Sequence, residues 1–160
     1  MSLDALGTSD REPPRALEVG RWQIEPTLVA PRALRHDLLH RWGGGEIIDP
    51  VITGRVALVL TELVTNAVQH GEDSIKVTLG RTPDGWLVVV TEHPPPLARP
   101  LPRPTAWRQS SPDADPGGRG LSIVAAVSTR CGWSRRGGEF TIWAEVPGAP
   151  DAADSAAWTG

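Results

Sequence analysis

The longest stretch of regularly spaced apolar residues lies between Val51 and Gln69. Leu, Val and Ala recur there every three or four positions, a spacing that places side chains on one face of an α-helix. These positions are Val56, Val59, Leu60, Leu63, Val64, Ala67 and Val68. Asp49-Pro50 precedes the stretch as a helix start signal, and Gly71 follows it as a stop. The pattern predicts a long helix packed on a core.

Shorter patterns predict the remaining elements. A helix is predicted from Leu28 to Trp42, and another after the glycine-rich segment that begins at Gly117. Strands are predicted at 21–24, 74–81, 85–92, 131–136 and 139–146. The order β-α-α-β-β-loop-α-β-β predicts an α+β two-layer sandwich, in which helices cover one face of a largely antiparallel mixed sheet.

One domain is predicted at 21–147, between flexible tails at 1–20 and 148–160. The domain is interrupted by the segment 93–116, which contains eight prolines and cannot hold regular structure. A loop of this length within a compact domain is usually a lid, a binding loop or disordered.

Composition narrows the class of protein. The 16 basic residues are scattered and offset by 19 acidic ones, so direct nucleic-acid binding is not expected. Cys131 is the only cysteine, which favours a reducing cytoplasm, and the start of the chain does not read as a signal peptide. No unbroken apolar run approaches the ~18 residues of a membrane span. A cytoplasmic protein without membrane association is therefore expected.

Three polar residues interrupt the long helix. Glu62, Asn66 and His70 follow one another at four-residue intervals, so they project along one narrow band of the helix. They either form a solvent-facing edge or line a cleft. In a cleft, an amide oxygen can ligate a hard cation, and a partly desolvated carboxylate can act as a general base.

Glycines open the third predicted helix. Gly117, Gly118 and Gly120 lie where backbone N–H groups point outward at the positive end of the helix dipole, an arrangement that suits phosphate. The segment is neither a P-loop nor a dinucleotide fingerprint, because it lacks the GK[ST] ending and the preceding strand. On its own the glycine segment is weak evidence for phosphate binding.

Together, these segments resemble a known superfamily. "ELVTNAVQHG" (62–71) is similar to the N-box of the GHKL, or Bergerat-fold, ATP-binding proteins, and "GGRGLSIV" (117–124) is similar to their G2 box. "TIWAEVP" (141–147) resembles their last core strand. The form of the N-box is most similar to that of the bacterial anti-sigma-factor serine/threonine kinases. The resemblance implies a histidine kinase-like ATPase fold that binds ATP and Mg²⁺.

The resemblance also implies roles for individual residues. Asn66 would hold the Mg²⁺ ion and Glu62 would be the catalytic base, while His70 lies where the family often carries a histidine near the phosphates. The G2 residues would contact ATP; they are Gly118, Arg119, Gly120 and Leu121. Thr141 matches a strand threonine that takes part in adenine recognition in the family. Helix capping by His70 and simple strand packing by Thr141 remain open as alternatives.

One segment departs from the family pattern. The strand "LVVVTE" ends in Glu92, where the family reads adenine with Asp, and it continues into His93 and Pro94, where small residues are usual. By the resemblance, Glu92 would bind ATP by accepting a hydrogen bond from the adenine amino group, although its longer side chain shifts the carboxylate relative to the base. This departure bears on the affinity for the nucleotide.

By this resemblance, the chain is expected to be an ATP-dependent kinase that phosphorylates an anti-sigma-factor antagonist of the STAS type. It would also sequester a sigma factor and form a homodimer. The alternatives are a non-catalytic protein-binding module with the same fold and a nucleotide sensor. A zinc site at "HDLLH" (36–40) is not favoured, because no third ligand is evident.

Overall fold

The computed structural model describes residues 11–42, 49–70, 73–93 and 116–148. Their secondary structure follows the predicted order: β1 Leu17–Ile24, α1 Ala30–Trp42, α2 Pro50–His70, β2 Ile75–Thr82, β3 Gly85–Glu92, α3 Pro116–Val127, β4 Arg130–Arg136 and β5 Glu139–Pro147. The proline-rich segment 93–116, which by the resemblance would be the ATP lid, lies outside the described residues at 94–115, as do 1–10 and 149–160 of the predicted tails.

The strands form one sheet in the order β1-β2-β3-β5-β4. Every neighbouring pair is antiparallel, which confirms the predicted α+β fold with helices on one face of a largely antiparallel sheet. In the turn between β4 and β5, Gly137 and Gly138 adopt φ values of 56° and 83°. Side chains disfavour this left-handed region, so glycine is suited to both positions.

The core lies between the three helices and one face of the sheet, called here the inner face. β2, β3 and β5 supply alternate residues to it, as expected for strands with one covered face. These residues are Ile75, Val77, Leu79, Trp86, Val88, Val90, Phe140, Ile142, Ala144 and Val146. α2 packs against α1, α3 and the sheet and is the central helix of the layer. The predicted core positions Val56, Val59, Leu60, Leu63, Val64 and Ala67 are fully buried, which confirms the predicted core helix.

The start of α2 is the one that the sequence predicts. The side chain of Asp49 accepts a hydrogen bond of 2.8 Å from the backbone N–H of Val51, as an N-cap residue does. The length and composition of Pro50–Gln69 alone would allow this segment to cross a membrane, but half of it is buried within the fold. In the described chain, α2 serves as a core helix.

The first strand is joined to α1 through one polar contact. The indole N–H of Trp22 donates a 2.7 Å hydrogen bond to a carboxylate oxygen of Asp37, on the outer side of α1. This hydrogen bond is the largest influence on the carboxyl of Asp37 and lowers its pKa, with a further contribution from Arg41. The contact therefore involves an ionised acceptor near the surface.

We expect Trp22→Phe to lower the free energy of unfolding by about 1–2 kcal/mol, because it removes a hydrogen bond to a charged group and keeps most of the ring packing. Urea denaturation of the wild type, Trp22→Phe, Asp37→Ala and the double variant measures the coupling. Costs that simply add in the double variant would show that the bond contributes nothing.

β1 begins earlier than the sequence indicates. The sequence predicts this strand from residue 21, but its pairing with β2 starts at Leu17, opposite Arg81. The boundary predicted at residue 21 therefore lies within β1. Residues 11–16 precede β1 without regular secondary structure and lie against the outer face of the sheet, opposite the helices.

Candidate functional site

Three elements meet at one end of the helical layer. The register pairs Lys76 at the start of β2 with Thr91 at the end of β3. Since β2 follows shortly after α2, the end of β3 and the C-terminal end of α2 lie at the same end of the sheet. α3 also begins there, because β4 starts at the opposite end, where Arg130 pairs with Glu145. The topology thus gathers the segment that resembles the N-box, the strand that ends in Glu92 and the segment that resembles the G2 box.

Asn66 lies within this region and does not face solvent. Its side chain is only 4% exposed, and its amide nitrogen is buried without a hydrogen-bond partner among the described residues. A buried amide left unpaired costs about 1–3 kcal/mol, so its position favours a ligand that satisfies it. The interpretation of the polar stripe as a solvent-facing edge is therefore wrong for Asn66.

Glu62 lies one helical turn before Asn66 and is half-buried. Burial raises the pKa of its carboxyl, the direction that a general base requires to hold a proton near neutral pH. The carboxylate packs against Gly120 of α3 so closely that a Cβ at this position would overlap Glu62 Oε2. Gly120 thus leaves room for the carboxylate of Glu62, a contact that the sequence pattern did not indicate.

Glu92 ends β3 on the inner face, in the same alternation as Val88 and Val90. It is 2% exposed, and its Oε2 atom has no hydrogen-bond partner among the described residues. Burial raises the pKa of this carboxyl to about 7. The side chain therefore changes between a hydrogen-bond donor and a pure acceptor within the physiological range.

Phe140 pairs with Glu92 across the sheet and also lies on the inner face. The guanidinium of Arg135 lies over its ring, 5.8 Å from the centroid. Sequence reasoning missed both residues, although the alternation along β5 would have identified Phe140 once the register was known. Phe140 and Arg135 extend the region around Glu92 on the adjoining strands.

Thr141 does not belong to this region. Its hydroxyl lies 3.3 Å from that of Thr91, and both residues alternate with the inner-face positions, so they lie on the outer face. The prediction that Thr141 contacts ATP is therefore wrong: strand alternation points its side chain away from the helices.

The remaining predicted residues lie in the expected segments. Leu121 is 3% exposed and packs into the core, so its side chain supports α3. His70 ends α2, and Gly118 and Arg119 lie in the first turn of α3, but the side chains of these three residues lie outside the described part. Their contacts with ATP remain predictions.

The described residues contain no group of three or more His, Cys, Asp or Glu side chains that could hold a metal ion. His36 and His40 stack on each other with ring centroids 6.3 Å apart on the exposed side of α1. A metal ion in the region of Glu62 and Asn66 would consequently need oxygen atoms from a ligand as well, as Mg²⁺ does when it is bound with phosphates.

The sequence comparison agrees with this arrangement. Residues 24–145 match the profile of the histidine kinase-like ATPase domain. The chain belongs to the histidine kinase-like ATPase domain family. No curated protein matches it. Among solved structures, it is similar to the Acinetobacter baumannii histidine kinase AdeS, with a TM-score of 0.46 and 13% identity over 84% of this chain and 70% of that one.

Membership of the histidine kinase-like ATPase family supports an ATP-binding regulatory function. The residues present fit such a ligand, since the amide nitrogen of Asn66 and Oε2 of Glu92 are buried at this end of the helical layer without a hydrogen-bond partner in the described part of the chain. The helix dipole at the start of α3 adds a positive electrostatic potential there. The family therefore explains why α2, a core helix, also carries Glu62 and Asn66.

Proposed function

We propose that this histidine kinase-like ATPase domain is a Mg²⁺-ATP-dependent serine/threonine kinase of the anti-sigma-factor type. Its substrate would be a STAS-type antagonist, and in the absence of that antagonist it would sequester a sigma factor. The observation that supports this proposal is the placement of Glu62 and Asn66 one turn apart on α2: a carboxyl with a raised pKa lies near a buried amide whose nitrogen has no hydrogen-bond partner among the described residues.

The chemistry follows from the positions of these groups. Asn66 would hold Mg²⁺ through its amide oxygen, and the N–H groups at the start of α3 would bind phosphate oxygens. Glu62 would accept the proton of the attacking serine or threonine hydroxyl. When bound, ATP would supply the phosphoryl group, and the Mg²⁺ ion would neutralise the negative charge of the phosphates. The protein's contribution is mainly positioning and electrostatic stabilisation.

A second candidate, a nucleotide sensor or non-catalytic protein-binding module, is favoured by Glu92. The side chain of Glu92 is longer than that of the Asp found in the family. Its carboxyl is buried and has a pKa of about 7. A carboxyl that is partly protonated at neutral pH presents a different hydrogen-bonding pattern to a base than a carboxylate does. Weak or pH-dependent nucleotide binding without phosphoryl transfer would indicate this second function.

Thermal denaturation with ATP, in the presence and absence of Mg²⁺, tests the proposed site. Ligand at about 100 times its dissociation constant stabilises a protein by about 2.7 kcal/mol. For a domain of this size, the melting temperature would rise by roughly 5–10 °C. We expect this rise to require Mg²⁺ and to be lost in Asn66→Ala, because the variant removes the amide oxygen.

Gln69→Ala is the matched control, since Gln69 is an exposed polar residue on the same helix. It should retain the full rise. A rise that survives in Asn66→Ala, or that needs no Mg²⁺, would contradict the assignment of this residue. Transfer of labelled phosphate from ATP to a STAS-type protein then separates the kinase from the sensor.

A further inference from the structure

The candidate site has two parts that differ in chemistry. Asn66 and the start of α3 suit a metal ion and phosphates. Glu92 lies instead on the inner face of the sheet at the end of β3, and only 2% of it is exposed. A nucleotide with its phosphates near Asn66 has its planar base left for this second part. A mostly apolar pocket with few polar groups is the usual binding site for such a ring.

The surroundings of Glu92 are apolar and aromatic. Val90 precedes it on the inner face of β3, and Phe140 is its partner on β5. The ring of Phe140 packs against that of Trp133 on β4, with ring centroids 5.5 Å apart. Oε2 of Glu92 is buried there without a hydrogen-bond partner among the described residues. A buried carboxyl oxygen without a partner is unfavourable, so a ligand that forms a hydrogen bond with it is favoured.

Burial is the cause of the raised pKa of Glu92, which is about 7. Among the described side chains, the charged or titratable groups on the neighbouring elements at this end of the sheet are Glu62 on α2, Lys76 on β2, Arg135 and Arg136 on β4, Glu139 on β5 and His93 after β3. Arg135 lies over the ring of Phe140, and His93 lies 3.9 Å from Glu139 at the exposed surface. Near neutral pH, the carboxyl of Glu92 therefore exists in a form that donates and accepts and in a form that only accepts.

The two purine bases present different hydrogen-bonding edges to such a carboxyl. Adenine offers an amino donor beside a ring nitrogen that accepts, whereas guanine offers a ring N–H beside an amino donor. A protonated carboxyl matches adenine, because it accepts from the amino group and donates to the ring nitrogen. A carboxylate matches guanine better, because both of its oxygens accept and guanine presents two adjacent donors. Ionisation of the carboxyl therefore changes which purine it fits.

We propose that Glu92 sets the purine preference of the nucleotide site by its protonation state: the protonated carboxyl favours adenine, and ionisation shifts the preference toward guanine. The inference rests on the proposed nucleotide site and adds guanosine triphosphate to its ligands. It depends on the burial of Glu92, because an exposed carboxyl would stay ionised near neutral pH and would present one pattern throughout.

Calorimetric titration with Mg²⁺-ATP and Mg²⁺-GTP at about pH 6 and about pH 8 tests the inference on either side of the pKa of Glu92. The ratio of the dissociation constant for GTP to that for ATP should be about tenfold lower at the higher pH, as expected for paired hydrogen bonds to a base edge. Both ligands carry the same triphosphate, so its titration cancels in the ratio. Mg²⁺-ITP, whose base has the ring N–H but lacks the amino group, should bind more weakly than Mg²⁺-GTP at the higher pH.

Glu92→Gln removes the titration and keeps the shape of the side chain. Its amide presents one acceptor and one donor, as the protonated carboxyl does, so the preference for ATP should be the same at both pH values. Glu18→Gln is the matched control, because it removes the same charge from an exposed side chain on β1. It should retain the wild-type fall in the ratio. Melting temperatures without nucleotide show whether both variants are folded.

A ratio that is the same at both pH values in the wild type would overturn the inference, whether or not Glu92→Gln folds. An equal fall in Glu92→Gln would overturn it as well, because another group would then be responsible. Equal affinities for ITP and GTP at the higher pH would show that the amino group of guanine is not recognised, and would also contradict it. In these three cases the proposed ATP site stands, whereas a protein that binds neither ATP nor GTP at either pH would refute that site and the inference together.

Discussion

Glu62→Gln is expected to reduce phosphoryl transfer to the acceptor protein by about 10²–10⁴-fold, the usual contribution of a general base. The amide has nearly the same shape as the carboxyl but cannot accept the proton of the attacking hydroxyl. The Mg²⁺-dependent thermal shift should remain, because Asn66 and the start of α3 are unchanged. Rates of transfer and melting temperatures, measured on the same preparation, separate catalysis from binding.

Glu18→Gln provides a control, since this exposed carboxylate pairs with Arg21 on β1, away from the site. It should transfer phosphate at the wild-type rate. If Glu62→Gln transferred phosphate equally fast, Glu62 would not be the base. If it lost the thermal shift as well, Glu62 would be needed for binding, and the assignment of roles between Glu62 and Asn66 would be wrong.

The second large effect concerns pH. The pKa of Glu92 is about 7 in the folded protein, compared with a reference value of 4.5. Between these values the folded state holds a proton that the unfolded chain releases, so the free energy of unfolding falls as pH rises and levels off above about 7. At 1.36 kcal/mol per pKa unit, the total loss is about 3 kcal/mol.

Urea denaturation at a series of pH values from about 5 to 8 measures this fall. In Glu92→Gln the greater part of the slope should disappear, because the amide does not titrate. A smaller slope of the same sign should remain, since the pKa of Glu62 is also raised. Asp37 and Glu145 do not interfere, because their pKa values are lowered and their contributions vary below this window.

Gln69→Ala again provides the control and should keep the wild-type slope, because it replaces an exposed side chain that carries no charge. A Glu92→Gln variant with the full wild-type slope would show that Glu92 is already ionised in the folded protein at neutral pH. The environment of Glu92 would then resemble that of an ordinary carboxylate. The second candidate function would lose its main support.

The parts of the fold that the sequence predicted well are those with one dominant periodicity. α2 was predicted from Val51 to Gln69 and runs from Pro50 to His70, because its apolar positions and the Asp49 cap give consistent signals. The strands β2 and β3 were predicted for the same reason, and the structure joins them in a hairpin with Pro83 and Asp84 in its turn. Strong local patterns coincide here with tertiary burial.

The errors occurred where tertiary contacts decide. Along β5, Phe140 and Ile142 alternate with Thr141 and Trp143, so both faces carry apolar residues and the sequence does not reveal which is inner. Residues 11–16 contain two prolines and no periodicity, so the sequence does not predict that they lie along the outer face of the sheet.

The contact between Glu62 and Gly120 could not be predicted either, since it requires the packing of α3 on α2. The sequence identified both residues, but as separate motifs. Because they are in contact, the predicted catalytic base and the glycine segment predicted to bind phosphate belong to one region of the structure. The sequence therefore supplied the residues of the site, and the fold supplied their arrangement.

α2 supplies the centre of the core as well as Glu62 and Asn66, and this has a consequence for genetics. A random screen for inactive variants should return many substitutions at Leu63, Val64 and Ala67, which surround the two polar residues and are fully buried. Such alleles would disable the protein through misfolding and lowered abundance. A stabilising substitution elsewhere in the chain should restore the activity of these variants but not that of variants that lack a catalytic side chain.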